Sequence, residues 1–294
     1  MRKKRTLNQH IQIANETMSY IYEYIDTNIN IDELALSFGI SKHHLHKLFK
    51  QQMGVNIYET IKSNRLQKAS NLLLTNKHST ITQISNMCGY SSHTSFIRAF
   101  KERFGQTPKD WRQGGYKEYS KDILKNYMIE DSVCPKFNAK NVQIVKTPQR
   151  EIYYLRQKGY ILEEGKEKWQ KLQAWVYSNS IKNYESLGIY HDNPAITPHN
   201  ECFYIAAICP KEKLALLDTN LPSYTMQDGL YAAFEIEGKK ADVGLFIHWV
   251  YHEWLPMSGF ETTTHPSFVI MNKNHILDKE REVDGTYYLP IRYT

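Results

Sequence analysis

No stretch of this 294-residue sequence approaches the roughly 20 consecutive apolar residues that cross a bilayer as a helix, which excludes a helical membrane protein. The basic opening Met1-Arg-Lys-Lys-Arg5 is followed by polar residues, so no secretory leader is expected and the protein is placed in the cytoplasm. Cysteine is sparse, and Cys88, Cys134, Cys202 and Cys209 form no CxxC pair. That scatter argues against a thiolate metal centre or a disulfide framework and suits buried thiols in a reducing compartment. No Ser-His-Asp, Cys-His or metal-ligand constellation can be read, so no enzyme, cofactor or metal is expected. Proline is missing before Pro108. Acidic residues are scarce in the same region: residues 1–120 hold 17 Lys and Arg against 9 Asp and Glu, a surplus of +8, whereas the rest of the chain holds 20 against 22. A basic front half favours a polyanionic partner.

Between Ile11 and Trp111 the apolar residues recur at helical spacing, which predicts an all-α domain over residues 1–115. Asn30-Ile-Asp-Glu33 and Thr80-Ile-Thr-Gln83 read as capping boxes that start two short helices. Each is followed by a glycine turn, Gly39-Ile-Ser41 and Gly89-Tyr-Ser91, whose serine can cap the next helix. Those next helices end alike, in Phe49-Lys-Gln-Gln-Met-Gly54 and Phe100-Lys-Glu-Arg-Phe-Gly105. One helix-turn-helix is thus repeated at an offset of about fifty residues, over about 31–53 and 81–104. Between the copies, Ile57, Ile61, Leu66, Ala69, Leu72 and Leu73 form the stripe of a connecting helix. Thr107-Pro108 opens a last short helix on which Trp111 can seal the second unit. A plain helical bundle is the alternative, but a repeated turn signature with basic charge favours a DNA binder. Two stiff recognition helices can enter successive major-groove segments roughly 34 Å apart on one face of the duplex.

On the first recognition helix Leu45, Leu48 and Phe49 should face inward, leaving His43, His46 and Lys47 for base edges. On the second, Phe96 and Phe100 point inward while Ser92, His93, Thr94 and Arg98 project, Arg98 being able to fork onto a guanine. Lys50, Lys101, Arg103 and Arg112 are assigned to phosphates, with ordinary solvated surface as the alternative for some. A metal held by His43 and His46 can be imagined, although no third and fourth ligands are visible. Protonation of these histidines would instead strengthen phosphate attraction. Ile31-Asp-Glu-Leu-Ala-Leu-Ser-Phe-Gly39 with Ser41 to Gly54, and Ile81 to Tyr90 with Ser95-Phe-Ile-Arg-Ala-Phe-Lys-Glu-Arg-Phe-Gly-Gln-Thr-Pro108, resemble the AraC/XylS DNA-binding domain over about residues 10–113. The resemblance implies double-stranded promoter DNA as a partner, base readout at these same positions, and RNA polymerase as a further partner.

After Gly114-Gly115 the polar residues 116–128 read as a linker, and a second domain is expected over 129–294. Strands are predicted at 142–145, 152–160, 187–190, 202–208, 230–236, 268–271 and 286–292, with amphipathic helices at 166–178 and 242–255. Two β-α-β-β copies make an α+β domain with its helices on one side of the sheet. This half holds Trp169, Trp175, Trp249 and Trp254. On its second helix Phe246, Trp249, Val250 and Glu253 fall three and four apart, so a carboxylate can share a face with aromatics and suit a cationic amine. Equally, Glu253 can be exposed at the helix end above core aromatics.

Leu187-Gly-Ile-Tyr-His-Asp-Asn-Pro194, Cys202-Phe-Tyr-Ile-Ala-Ala207, Gly229-Leu-Tyr-Ala-Ala-Phe234, Trp254-Leu-Pro-Met-Ser-Gly259 and Tyr288-Leu-Pro290 resemble, in order, the GyrI-like effector-binding domain. That resemblance implies a small-molecule cavity lined by Trp169, Tyr190, Tyr204, Tyr231, Phe246, Trp249, Glu253 and Tyr288. Ile205 stands where relatives often carry an acidic residue, which implies a less cationic ligand. An AraC-type front joined to a GyrI-like back is the order of Rob-like regulators. The expected function is a sequence-specific transcription regulator, an activator, that senses an amphipathic or cationic small molecule of the multidrug kind. Two alternatives stand: a hydrolase using Glu253 and Tyr288, and a ligand-free protein-interaction module.

Overall fold

The computed structural model describes residues 2–125, 142–159, 162–212, 221–277 and 282–293; Cys134, Tyr160 and residues 126–128 of the expected linker lie outside them. The chain divides into two units, Met1–Gln113 and Gly114–Thr294.

The first unit runs α1 (Arg2–Glu23), α2 (Ile31–Ser37), α3 (Lys42–Met53), α4 (Ile57–Thr75), α5 (Ile81–Met87), α6 (His93–Phe104) and α7 (Pro108–Asp110). Its helix starts follow the expected side-chain chemistry. Thr80 and Gln83 form a full capping box, Thr80 accepting from the Gln83 amide at 3.1 Å and Gln83 accepting from the Thr80 amide at 2.7 Å. At Asn30 the forward half forms, its side chain accepting from the amides of Asp32 and Glu33. Ser41 caps α3, but α6 is capped by Ser92 and not by Ser91. One residue has been added inside the second turn. Gly39 and Gly89 are fifty apart, whereas Gly54 and Gly105, which end α3 and α6 in the left-handed conformation, are fifty-one apart.

The first helix pair packs Leu45, Leu48 and Phe49 against Ile13, Ile21, Ile25 and Leu34. In the second, Phe96, Phe100 and Phe104 are buried, and Trp111 meets the last two rings at 5.7 and 4.6 Å. The Trp111 indole N–H donates to the Ser70 carbonyl at 3.2 Å, tying this cluster to α4. All six residues of the expected α4 stripe are buried, and burial extends around the helix to Gln67, Lys68, Ser70 and Asn71. Arg65 on α4 donates to the carbonyls of Ile25 and Thr27 and lies 5.8 Å from the Tyr90 ring, so one side chain spans both helix pairs.

A π-turn at Trp111–Gly115, kinked at Gly114 (φ 113°), leads into the second unit. The stretch expected as linker is in its first nine residues a helix, α8 (Tyr116–Leu124), which packs on a later helix of that unit. The remaining elements are β1 (Gln143–Thr147), β2 (Arg150–Lys158), α9 (Leu162–Ser178), β3 (Tyr184–Tyr190), β4 (Phe203–Pro210), β5 (Ser223–Met226), β6 (Gly229–Lys239), α10 (Lys240–Trp249), a π-turn (Val250–Trp254), α11 (Leu255–Met257), β7 (Phe260–Thr262), β8 (Ser267–Lys273) and β9 (Glu282–Tyr293). Every strand pair is antiparallel, in the order β1-β6-β9-β8-β3-β4-β2-β5, with β7 added on β9. The two halves order their strands alike outward from the β3–β8 pair, yet each outermost strand is exchanged: β1 pairs with β6, and β5 with β2. Among the described residues α9 and α10 pack on one face, over Tyr204, Ala206, Ile208, Phe234 and Tyr287. The opposite face is built from strand residues, among them Ile152, Tyr154, Leu187, Ile189, Ile205, Tyr231 and Phe268.

Candidate functional site

The two recognition helices, α3 and α6, carry their inward apolar residues as expected and expose the opposite side. His43, Lys47 and Lys50 on α3 are exposed, as are His93, Thr94, Arg98 and Lys101 on α6. Four of the assigned residues are partly buried or already engaged. His46 is half-buried, its ring 5.2 Å from that of Tyr58 on α4, and burial with the neighbouring Lys42 and His43 lowers its pKa. Ser92 is occupied as a cap, its hydroxyl accepting from the Ser95 amide at 3.3 Å. Arg112 is half-buried, and its Nε and one terminal nitrogen are shielded with no hydrogen-bond partner among the described residues. Burial lowers the Arg112 pKa, and a shielded guanidinium is poorly placed for a phosphate. Arg103 is half-buried too. His44, not singled out in the sequence, is exposed on α3 with its ring 5.7 Å from that of His10, so the recognition helix is also braced on α1. No group of three or more potential metal ligands exists among the described residues.

In the second unit the eight residues expected to line one cavity divide between the two faces of the sheet. Trp169, Tyr190, Tyr204, Phe246 and Trp249 lie on the helix-bearing face, whereas Tyr231 and Tyr288 belong to the other. Trp169 and Tyr204 are 1% and 5% exposed, and the indole N–H donates to the Tyr204 hydroxyl at 3.1 Å. They are a satisfied core pair. Phe246 and Trp249 surround Phe234 with ring centroids 5.6 and 6.4 Å away.

Glu253 is exposed and does not join these aromatics, which corrects the expectation of a carboxylate beside an aromatic cage. The reason is local: α10 stops at Trp249 and the chain continues as a π-turn, which changes the spacing on which a Trp249–Glu253 pairing depends. Glu253 acts electrostatically on Tyr116 of α8, whose pKa is raised chiefly by burial. Tyr288, its partner in the hydrolase alternative, packs instead against the cluster of the helix-free face. The same π-turn sets His252 against His248, ring centroids 4.3 Å apart and nearly perpendicular, with Tyr116 4.9 Å from His252. Burial pushes His248 down to about 4 and His252 well below its ordinary value.

The helix-free face holds residues the sequence reading passed over. Arg150, Ile152, Tyr154 and Arg156 alternate along β2, so all four share it. The Arg150 guanidinium lies 5.7 Å from the Phe268 ring and 3.5 Å from Glu185, and Phe268 stacks on Tyr288 at 4.7 Å. Arg156 lies 5.2 Å from the Tyr154 ring, which meets Tyr224 edge-on at 5.4 Å. The period-two run of β2 was the available signal.

A family model described as GyrI-like small molecule binding domain matches residues 140–292, and one described as Helix-turn-helix domain matches residues 34–114. The chain is similar to the xylose operon regulatory protein of Escherichia coli, with 37% identity over 97 residues, 33% of this chain and 24% of that protein. It is similar to the probable transcription factor PqrA of Proteus vulgaris, with 33% identity over 105 residues, 35% of this chain and 85% of that protein. It is also similar to the HTH-type transcriptional activator RhaS of Escherichia coli, with 30% identity over 118 residues, 38% of this chain and 41% of that protein. The match to the xylose regulator thus spans about a quarter of that relative's length.

Proposed function

Because the chain belongs to the GyrI-like family through residues 140–292 and carries an AraC-type helix-turn-helix domain ahead of them, we propose that it is a transcription regulator with a small-molecule input. Residues of α3 and α6 bind promoter DNA, and the second unit senses the effector. The observation that supports this best is the repeated helix-turn-helix, with two recognition helices that each bury one face and expose His43 and Lys47, or His93, Thr94 and Arg98. Lys50 and Lys101 act as phosphate contacts. Activation through RNA polymerase is the mode favoured by the similarity to a protein named as a transcriptional activator.

Genome-wide footprinting with purified protein, followed by gel-shift titration on the recovered site, tests the DNA assignment. Arg98→Ala is expected to weaken that site by about 1–3 kcal/mol while leaving unrelated DNA bound as before. Lys101→Ala should weaken all DNA evenly and lower the salt slope by about 1. Unchanged site affinity in Arg98→Ala would remove the base-readout role. Run-off transcription from the recovered promoter, with and without the protein, separates activation from repression.

A further inference from the structure

Tyr58 lies outside both recognition helices, in the first turn of α4, yet its ring packs on one of them. The side chain is 53% exposed, and its ring centroid stands 5.2 Å from that of His46 with the planes tilted by 33°. Lys42 precedes His46 by one turn on α3 and completes the group. Asp32 of α2 accepts from the Lys42 ammonium at 2.7 Å, and Asp32 first, then the Tyr58 hydroxyl, raise the Lys42 pKa. Residues of three helices thus meet along the edge of α3 that carries His46, beside the exposed His43 and Lys47.

The repeat shows whether the fold requires this cluster. At the offset set by Gly54 and Gly105, the folding roles recur in both copies: Ser41 and Ser92 cap the recognition helices, Phe49 and Phe100 are buried, and Asn56 and Thr107 cap the helices that follow. The cluster does not recur. Where the first copy has Asp32, Lys42, His46 and Tyr58, the second has Thr82, His93, Ile97 and Lys109. The second helix pair folds without any of these four side chains, so helix packing does not account for them in the first.

We propose that Tyr58 is a specificity-determining residue for the DNA half-site read by α3, and that it acts by holding the His46 ring in its reading orientation. The inference rests on the DNA-binding assignment above. An imidazole that is already oriented has less side-chain freedom to lose when it meets a base edge. Burial, then Lys42 and His43, lower the His46 pKa, so near neutral pH the ring is uncharged and reads by hydrogen bonding. Its N–H suits an acceptor in the major groove such as a purine N7. An uncharged ring adds nothing to the phosphate attraction that binds all sequences alike. His46 is therefore half-buried as a consequence of being positioned, with its remaining surface left for DNA.

The test is gel-shift titration of the full chain on the recovered site and on a panel in which each base pair is changed in turn. The half-site of α3 is the one whose base preferences survive Arg98→Ala. Tyr58→Ala should weaken the site by about fivefold and lose that discrimination at the base pair His46 reads, with unrelated DNA and the salt slope unchanged. Tyr58→Phe keeps the ring and should stay within about twofold of wild type there. In a His46→Ala background, Tyr58→Ala should change nothing further at that pair. Wild-type preferences in Tyr58→Ala, an equal loss in Tyr58→Phe, a uniform loss on all DNA, or the full loss repeated without His46 overturns the positioning role. In each of those cases a wild type that still selects its site leaves the DNA assignment standing, whereas a wild type that prefers no site removes both.

Discussion

Gly39 and Gly89 occupy matching turns but not matching surroundings. Both are left-handed, yet a Cβ on Gly39 meets nothing within 4 Å, whereas on Gly89 it would sit 2.6 Å from the Ile25 carbonyl and 2.9 Å from Arg65. In urea unfolding, Gly39→Ala should cost about 1–2 kcal/mol and Gly89→Ala about 3 kcal/mol or more; equal losses would show that the Ile25 contact yields freely. Trp169 and Tyr204 permit a second comparison. Tyr204→Phe leaves a buried indole N–H without its acceptor, so stability should drop by about 1–3 kcal/mol. These residues mark the limit of what sequence discloses: an aromatic at position 204 reads identically whether it closes a core hydrogen bond or lines a ligand.

Helix ends and helix faces were legible because their signals are local. Thr80 with Gln83, Ser41, Gly54 and Gly105 act within four residues of where the sequence places them, and the inward set Leu45, Leu48, Phe49, Phe96 and Phe100 follows from 3.6-residue spacing alone. The exceptions arise where one residue alters the register. The extra residue between Gly89 and α6 moves the cap from Ser91 to Ser92, and the π-turn after Trp249 strips Glu253 of its expected company. Helix α8 was unreadable for another reason: its charged residues, Lys117, Glu118, Lys121 and Asp122, look like a linker, while Ser120 and Ile123 are buried. Its packing beside His252 makes a pH prediction. His248 and His252 have depressed pKa values in the folded unit, their neighbours being Tyr116 and Lys117 on α8 with Glu253 nearby. The unfolded chain binds protons first, so stability is full above about pH 6.5 and is lost as pH falls toward about 4. Melting temperatures taken from pH 7.5 to 4.5 should fall more steeply for the wild type than for His248→Gln; parallel curves would acquit the pair.

Within the first unit α4 fixes the two helix pairs to each other through Arg65, Ser70 and a helix surface buried on several sides. Binding should therefore depend on the phase of the two DNA half-sites as well as on their sequence. Inserting about five base pairs between them turns one half-site to the far side of the duplex and should reduce affinity to that of a single half-site, whereas about ten should restore part of it. Gel-shift titration of the three spacings decides this; indifference to spacing would mean that only one recognition helix is used. The exchange of β1 and β5 carries a mechanical consequence as well. Each half borrows its border from the other, like clasped hands, so neither can let go without unzipping its neighbour. Cutting the backbone between the halves should release no self-sufficient fragment, and whatever grips one rim will be felt at the other.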